Sequence, residues 1–382
     1  MASEEVKQSV CNFAVDLYRQ IAKKQGDGLS NVFISPLSLY TAVAMTMAGA
    51  DGQTKNEILT SLHLSKVGNP NEAVGSIVQH YLQSKTGVEL ALANRLFALR
   101  PATILPDYSQ LIKKVYNAAT EELSKLSSND AKRQHINKWV AENTGNKITS
   151  LLPSGSITND TVLSVINALY FKGNWNSPFI KERTTMEEFH CLDGKRIGVK
   201  MMFVKDTFGF NSWDACAAHV LRLPFKDTNW HMLIVLPKQN DGLKKVVDHL
   251  SKPGALEEML KDPFFDEEIE VFLPKFKIAE GDPLDAKELL IGCGVRELFD
   301  GNKADLSKLC SNERLHVSDV FHKAVLDIDE EGATAAASTG MMMCRMMMGP
   351  PPFRVDHPFF LAIISDSMVP VFVGHITNPE SP

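Results

Sequence analysis

The chain has 382 residues, a formal net charge of −6 and 44% hydrophobic residues, without a basic block. This charge balance excludes the electrostatic footprint of a general nucleic-acid-binding protein. No apolar run reaches the roughly 20 residues that a membrane-spanning helix requires, so no membrane partner is predicted.

The organisation of the chain indicates one folding unit. Length alone predicts two or three domains, but no Pro/Gly/Ser-rich linker and no internal repeat divides the sequence. Apolar strands and amphipathic helices are interleaved throughout, so we expect a single domain over residues 1–382. The mixture has no regular βαβ alternation, which indicates the α+β class.

The termini and cysteines leave the cellular compartment open. Residues 1–5 are polar and acidic, unlike a signal peptide, so the chain is either intracellular or a mature secreted protein with an added methionine. One glycosylation sequon begins at Asn159. The cysteines have neither the spacing of a disulfide framework nor that of a metal site; they are Cys11, Cys191, Cys216, Cys293, Cys310 and Cys344.

Hydrophobic periodicity predicts the elements in chain order. Helical spacing predicts a helix over Val6–Lys24, and Asn31–Ser38 contains a short buried strand that ends at a proline. A helix that is apolar nearly all round is expected to begin at Ser38, a good N-cap type, and to lie at the centre. Further helices are predicted over Gly75–Lys85 and Ile136–Ile148, and further strands over Leu90–Leu99, Thr161–Phe171, His231–Pro237, Glu270–Ile278, Val320–Ile328 and Pro370–Ile376.

Motifs of enzyme active sites are missing from the sequence. There is no Gly-x-Ser-x-Gly elbow, no His-Glu-x-x-His pair and no phosphate-binding glycine-lysine loop. Gly292-Cys293-Gly294 lacks the third glycine of a dinucleotide site, and no Cys or His pair has zinc spacing. The sequence therefore predicts neither catalysis nor a cofactor.

The segment 327–360 has three parts with different physical properties. Residues 333–339 are all small, residues 341–348 form an apolar run rich in methionine, and the three prolines of 350–352 favour a stiff extended backbone. Alanine and methionine are good helix formers, so a helix is one interpretation. Strand patterns on both sides favour the other interpretation, an exposed loop that could itself become a strand.

Strings in this segment and elsewhere resemble the serpin family. Glu330–Thr339 is similar to the proximal hinge of the serpin reactive-centre loop, and Asp356–Phe360 is similar to the segment that follows that loop. Ile34–Ser38 and Asn167–Trp175 resemble two further serpin motifs. The resemblance extends over nearly the whole chain.

The resemblance implies both a fold and an activity. The serpin fold is α+β, with a large central mixed β-sheet, smaller sheets, about eight or nine helices and an exposed reactive-centre loop, here at about 330–352. Inhibitory serpins are suicide substrates of serine endopeptidases. The protease cleaves the loop, stays attached as an acyl-enzyme, and is trapped when the loop inserts into the main sheet as a new strand.

Insertion makes demands on the hinge that the sequence meets. Every second residue from Ala333 onward has to be buried, and these residues are small or mildly polar. Serpins more often have threonine or serine at the position of Ala333 and glutamate at that of Thr334, but alanine is easier to bury. The hinge comprises Glu330, Glu331, Gly332, Ala333, Thr334, Ala335, Ala336, Ala337, Ser338 and Thr339.

The bait residue has two candidates. Serpin spacing counted from Gly332 places it at Met346, with cleavage between Met346 and Met347. Counting back from Pro358 shifts the register by about one residue in the other direction, away from Arg345. The bond between Arg345 and Met346 remains the alternative, because Arg345 lies one residue before Met346. Methionine suits the apolar pocket of elastase-like and chymotrypsin-like proteases, whereas arginine suits a trypsin-like pocket. Met346 is favoured.

The resemblance also assigns two supporting clusters. The first is the serpin shutter, a polar cluster beneath the strands that part during insertion, and it comprises Ser35, Ser38, Asn167 and His322. The second is the breach at the top of the sheet, and it comprises Lys275, Glu330 and Trp175. The alternative is that these are unrelated core polar groups and solvated surface charges.

The expected partners are serine proteases, bound covalently by a monomer. The helix predicted over Gly75–Lys85 carries only His80 and Lys85 as basic residues, so glycosaminoglycan binding is not indicated. The methionine-rich tip and triple proline resemble secreted serpins of blood-feeding arthropods, which favours secretion over a cytoplasmic location. The alternative functions are a non-inhibitory serpin-fold carrier or chaperone and an ordinary protease substrate.

Overall fold

The computed structural model describes residues 4–82, 87–278, 283–331 and 351–380. Nine α-helices lie within these residues: α1 (Glu4–Gln25), α2 (Pro36–Gly49), α3 (Gly52–Ser61), α4 (Pro70–Leu82), α5 (Pro106–Tyr116), α6 (Asn129–Asn143), α7 (Leu243–Leu250), α8 (Ala255–Lys261) and α9 (Lys287–Gly292). The strands of the described residues are β1 (Val32–Ile34), β2 (Val88–Ala98), β3 (Ala119–Glu122), β4 (Leu163–Gly173), β5 (Thr185–His190), β6 (Arg196–Trp213), β7 (Ala218–Pro224), β8 (His231–Pro237), β9 (Phe265–Pro274), β10 (Phe276–Ile278), β11 (Leu284–Asp285), β12 (Val317–Ile328), β13 (Phe353–Arg354), β14 (Phe359–Ile364) and β15 (Pro370–Ile376).

The strands form two sheets. The nine-stranded sheet has the order β1-β15-β14-β8-β7-β6-β9-β13, with β5 paired to β6. Strands β8, β14 and β15 are buried at every residue, which explains why their sequences are continuous apolar runs. The six-stranded sheet has the order β10-β12-β4-β2-β3, with β11 paired to β12.

The six-stranded sheet is mixed and is covered on both faces. Strand β12 is parallel to β4, and β2 is parallel to β3, whereas β2 and β4 are antiparallel. On one face lies α2, in which 13 of the 14 residues are buried, as its all-round apolar pattern predicts. On the other face, Ile136 and Val140 of α6 pack on Phe97, Ile166 and Phe321 of β2, β4 and β12.

Two predicted boundaries are wrong for clear physical reasons. Helix α2 begins at Pro36 rather than at Ser38, because proline suits the first helical position, where no backbone N–H is needed. Ser35 is the N-cap, and its Oγ accepts from the Ser38 N–H at 3.2 Å. The predicted strand Glu270–Ile278 is two strands, β9 and β10, in different sheets, and the break follows Pro274, which has no N–H for a ladder.

Other boundaries move by a few residues. Helix α6 begins at Asn129 and ends at Asn143, before Gly145, and α4 begins at Pro70. The strand pattern that follows the methionine-rich run is observed as the fully buried β14, and the short strand β13 precedes it. No helix among the described residues is both long and apolar enough to cross a membrane.

Candidate functional site

The seam between β4 and β12 runs through the middle of the six-stranded sheet. The two strands pair in parallel from Val317 and Leu163 to Leu326 and Phe171. At the centre of this ladder His322 lies opposite Asn167, and on the far side of β4 Asn167 lies opposite Asn94. The seam is therefore a row of backbone hydrogen bonds with a polar centre between two apolar layers.

The four residues assigned to the shutter lie together beneath this seam. The backbone N–H of Ser35 donates to His322 Nε2 at 3.0 Å, so the proton of the neutral ring is on Nδ1 and is donated to Asn167 Oδ1. Asn167 Nδ2 donates in turn to Ser38 Oγ. Ser35 Oγ donates to the Val371 carbonyl at 2.7 Å, which ties the cluster to the other sheet.

Burial sets the protonation state of this cluster. His322 is fully enclosed, and this burial lowers the pKa of its imidazole to about 3. The ring is therefore neutral at physiological pH and can accept from Ser35. A protonated ring would lose that acceptor, because both of its nitrogens would be donors.

One member of this network was not predicted from the sequence. Asn94 Oδ1 accepts from Asn167 Nδ2, which extends the polar chain across β4 to β2. The available signal was the apolar alternation Leu90, Leu92, Leu96, which Asn94 interrupts with a polar side chain. Period 2 places Asn94 on the same face as these leucines, where an amide needs a partner.

The end of β12 is held by the second assigned cluster. Lys275 Nζ lies 2.6 Å from Glu330 Oε2, and Thr184 Oγ1 donates to the same carboxylate at 3.0 Å. Burial raises the pKa of Glu330, but these hydrogen bonds outweigh it, so the net pKa is lowered. Trp175 Nε1 donates to the Asp329 carbonyl at 2.9 Å, so Lys275, Glu330 and Trp175 meet at one place.

Two further ion pairs hold residues 329–331, the stem of the loop, and were not predicted from the sequence. Asp329 pairs with Lys172 of β4 at 2.8 Å, and Glu331 pairs with Lys181. Together with Lys275, three lysines from separate parts of the chain each pair with one of three consecutive acidic residues. No spacing rule could indicate this arrangement, because the partners are far apart in sequence.

The loop itself lies outside the described residues. This applies to the hinge from Gly332 to Thr339 and to the bait candidates Arg345, Met346 and Met347. The described chain leaves the six-stranded sheet after β12 and resumes at Pro351, before β13 in the nine-stranded sheet. The residues 332–350 therefore connect the two sheets.

The sequon residue Asn159 is exposed on the surface. Its Oδ1 accepts from Asn129 Nδ2 at 2.8 Å. The sequon residue Thr161 is only 4% exposed, and its hydroxyl oxygen accepts from the Thr158 N–H at 3.0 Å.

Comparisons with known proteins agree with this architecture. The family model described as Serpin (serine protease inhibitor) matches residues 8–379. Leukocyte elastase inhibitor of Equus caballus is 33% identical over 382 residues, which cover 98% of this chain and 100% of that protein. Serpin B6 of Bos taurus is 37% identical over 366 residues, which cover 94% and 96% of the two chains.

A solved structure gives the same result for the fold. The native stressed conformation of Arabidopsis AtSerpin1 superposes with a TM-score of 0.87 at 29% identity, and the match covers 100% of both chains. With the family model over almost the whole length, the chain belongs to the serpin (serine protease inhibitor) family.

Proposed function

We propose that this serpin inhibits serine endopeptidases as a suicide substrate. The protease serine attacks the carbonyl of the bait residue, the peptide C–N bond breaks, and the leaving amine takes a proton from the protease histidine. The ester that remains joins the two proteins covalently. Residues 331 onward then insert between β4 and β12, and the displaced protease loses the geometry it needs for hydrolysis of the ester.

The direction of the strands at the seam is the observation that carries this proposal. Strand β12 runs directly into the loop stem, and a segment that turns back after Glu331 runs antiparallel to β12. Because β4 is parallel to β12, the returning segment is antiparallel to β4 as well. Insertion would replace one parallel ladder with two antiparallel ladders, which are slightly more stable per residue.

The hinge composition supports the inhibitory type. The length from Glu330 to the bait, about sixteen residues or about 50 Å when extended, is more than the 11 residues of β4, so it is long enough to cross the sheet. The residues that would face the sheet interior, from Ala333 to Thr339, include no charge and no proline. A non-inhibitory carrier needs none of these properties.

For the bait, Met346 is the first candidate and Arg345 the second. A methionine bait directs the inhibitor to elastase-like and chymotrypsin-like proteases, and its scissile bond is Met346–Met347. The comparison with a protein named leukocyte elastase inhibitor supports this choice. An arginine bait would direct it to trypsin-like enzymes.

The domain organisation and compartment are proposals as well. The larger apolar cluster includes Leu96 of one sheet and Phe372 of the other, which supports one domain over 1–382, and we expect a monomer. For the compartment, relatives of the leukocyte elastase inhibitor and serpin B6 type favour the cytoplasmic alternative over the secreted one. The five described cysteines are free thiols, which agrees with a reducing compartment.

The test is a protease panel followed by denaturing gels and mass spectrometry. Elastase, cathepsin G, chymotrypsin, trypsin and thrombin are incubated separately with the full chain. We expect an SDS-stable complex with an elastase-like or chymotrypsin-like enzyme, and a released C-terminal peptide that begins at Met347. A peptide that begins at Met346 would instead make Arg345 the bait.

Two variants separate the bait from its neighbour. Met346→Asp should lower the rate of complex formation, because an apolar pocket rejects a carboxylate, whereas Arg345→Ala should leave it nearly unchanged. Cleavage without a stable complex for every protease would refute the inhibitory proposal and leave the carrier or substrate alternatives.

A further inference from the structure

An ion pair closes one end of the seam between β4 and β12. The parallel ladder of the two strands ends at Phe171 and Leu326. Just beyond this ladder, Lys172 Nζ of β4 donates to Asp329 Oδ2, which follows β12, at 2.8 Å. The hinge leaves the described chain after Glu331, so the pair lies at the end of the seam where the hinge has to enter.

The ion pair between Lys275 and Glu330 has a different place in the sheet. Strand β12 has β4 on one side and β10 on the other, and β10 pairs with the last residues of β12. Lys275 lies directly before β10, on the side away from β4. A strand that enters between β4 and β12 therefore passes between Lys172 and Asp329, but not between Lys275 and Glu330.

Asp329 also fixes the turn into the loop. Its Oδ1 accepts from the Glu331 N–H at 3.1 Å, while its Oδ2 accepts from Lys172. One carboxylate thus ties β12 to β4 across the seam and orients the first residues of the hinge. Movement of the hinge into the seam requires the bond to Lys172 to break.

The surroundings make this pair stronger than one on the surface. The side chains of Lys172 and Asp329 are only 18% and 21% exposed. Burial lowers the pKa of Lys172, but its bond to Asp329 and the charges of Asp327 and Glu89 outweigh burial, so the pKa is raised. Glu89 lies opposite Lys172 on β2, and insertion on the other side of β4 leaves this neighbour in place. Opening of the seam therefore costs one ion pair without leaving the ammonium far from a carboxylate.

We propose that Lys172 and Asp329 form a latch that limits how fast a strand enters the seam, which makes Lys172 a positioning residue of the inhibitory reaction. After the ester has formed, insertion competes with hydrolysis, in which water releases the protease serine and leaves the bait residue as a free carboxylate. A weaker latch directs more of the ester into the stable complex. This inference rests on the proposed function, because it takes the hinge as the inserting strand.

A synthetic peptide with the sequence of residues 332–343 tests the latch without a protease. The peptide is long enough to pair along the 11 residues of β4. It is incubated with the intact full chain, and native gels and the rise in unfolding temperature give its rate of entry. Lys172→Met and Asp329→Asn should each speed entry about fivefold, because each removes the half-buried ion pair. Lys172→Arg keeps a cation for Asp329 and should enter at nearly the wild-type rate.

Glu121→Gln is the matched control for Asp329→Asn. Glu121 Oε2 accepts from Arg95 Nη1 at 2.6 Å, and the two side chains are 30% and 24% exposed, but this pair joins β3 to β2 and does not cross the seam. Both variants replace a carboxylate with an amide, and both should lower the free energy of unfolding to a similar extent. Only Asp329→Asn should change the rate of peptide entry, whereas a role in general stability alone would change that rate in both variants alike.

The protease reaction gives a second measurement. With a protease that releases part of the wild type as cleaved serpin, Lys172→Met should lower the ratio of cleaved serpin to stable complex about fivefold, since insertion gains on hydrolysis by the factor measured with the peptide. An unchanged ratio would remove Lys172 from the inhibitory reaction.

The outcomes separate the latch from the inhibitory function. Equal rates of peptide entry in the wild type, Lys172→Met and Asp329→Asn would overturn the latch even if proteases are inhibited. Failure of the peptide to enter any of these proteins would overturn it as well, because a latch requires a seam that accepts a strand. Faster entry in both variants without a stable complex for any protease would support the latch and refute the inhibitory function.

Discussion

Single side chains hold the stem of the loop where β12 ends. Glu330 is 7% exposed and takes hydrogen bonds from Lys275 and Thr184, whereas Lys181, the partner of Glu331, lies on the surface. A buried carboxylate that loses its cation keeps its desolvation cost, while an exposed pair contributes little. The two lysines therefore differ in importance although both pair with the stem.

Lys275→Met should lower the free energy of unfolding by about 1–3 kcal/mol. Lys181→Met, the matched control, should leave the free energy of unfolding nearly unchanged, because water replaces an exposed partner. Denaturant unfolding followed by tryptophan fluorescence measures both, and Trp175 at the stem is a local reporter. Equal losses in the two variants would contradict the assigned difference in burial.

The buried imidazole of His322 predicts a pH dependence. Burial lowers its pKa to about 3 in the folded state, below the unfolded value of 6.5. The unfolded chain therefore binds the proton more tightly, so the contribution of His322 is complete above pH 6.5 and is lost as the pH falls toward 3. At pH 5 the loss is about 2 kcal/mol, and it is insensitive to the folded value as long as that value lies below 5.

His322→Gln should reduce the loss of unfolding free energy between pH 7 and pH 5 by about 2 kcal/mol. The remaining slope has other sources, since burial also lowers the pKa values of His231 and His375 to about 4. Urea unfolding at several pH values measures the slope. If the unfolding free energy of His322→Gln depends on pH as steeply as that of the wild type, the pKa of His322 is the same in the folded and unfolded states.

At the scale of the elements, insertion of the hinge depends on the alternation of a strand. Residues 333, 335, 337 and 339 would face the interior of the sheet, and residues 334, 336 and 338 the other side. Both faces of the seam are covered, but α6 packs with fewer apolar residues than α2 does. A charged side chain that faces α2 should therefore disfavour insertion more than one that faces α6.

Ala335→Glu should convert the inhibitor into a substrate, because a carboxylate without a partner cannot be buried in the sheet interior. Ala336→Glu is the matched control one residue away, on the opposite face, and it should retain most of the stable complex. The fraction of cleaved serpin that is not in complex, read from gels, separates the two. Loss of inhibition in both variants alike would argue against strand insertion in this register.

The sequence predicted elements and motif clusters better than it predicted their partners. The strings around Ser35 and Asn167, with the assignment of His322, identified a cluster because each residue lies in a strand or cap whose place the resemblance defines. Lys172 and Asn94 escaped notice because their roles depend on which strands become neighbours, and periodicity contains no such information. The break between β9 and β10 after Pro274 was not predicted, because an apolar run has the same pattern whether its residues join one sheet or two.

At the scale of the whole molecule, the six-stranded sheet contains a parallel pair of strands, β4 and β12, between which a further antiparallel strand could form hydrogen bonds. The parallel ladder of β4 and β12 lies between antiparallel neighbours on both sides, β2 and β10. On the inhibitory proposal, a chain held in this arrangement by the stem and the shutter would be stable for kinetic reasons, because the more fully paired state requires the seam to open first. On the inhibitory proposal, cleavage of the loop would remove the covalent constraint that opposes insertion of the hinge.

Cleaved protein should therefore unfold at a clearly higher temperature than intact protein. A strand of about ten residues adds roughly ten net hydrogen bonds of about 1 kcal/mol, and for a chain of this size such a gain corresponds to about 10 °C or more. Calorimetry before and after cleavage within residues 341–348 measures the shift, with Ala335→Glu cleaved in the same way as the control. Equal unfolding temperatures for cleaved and intact wild type would mean that the hinge does not insert into the sheet, and they would favour the carrier alternative. If cleavage raises the unfolding temperature of the wild type but not that of Ala335→Glu, the gain in stability comes from insertion of this strand.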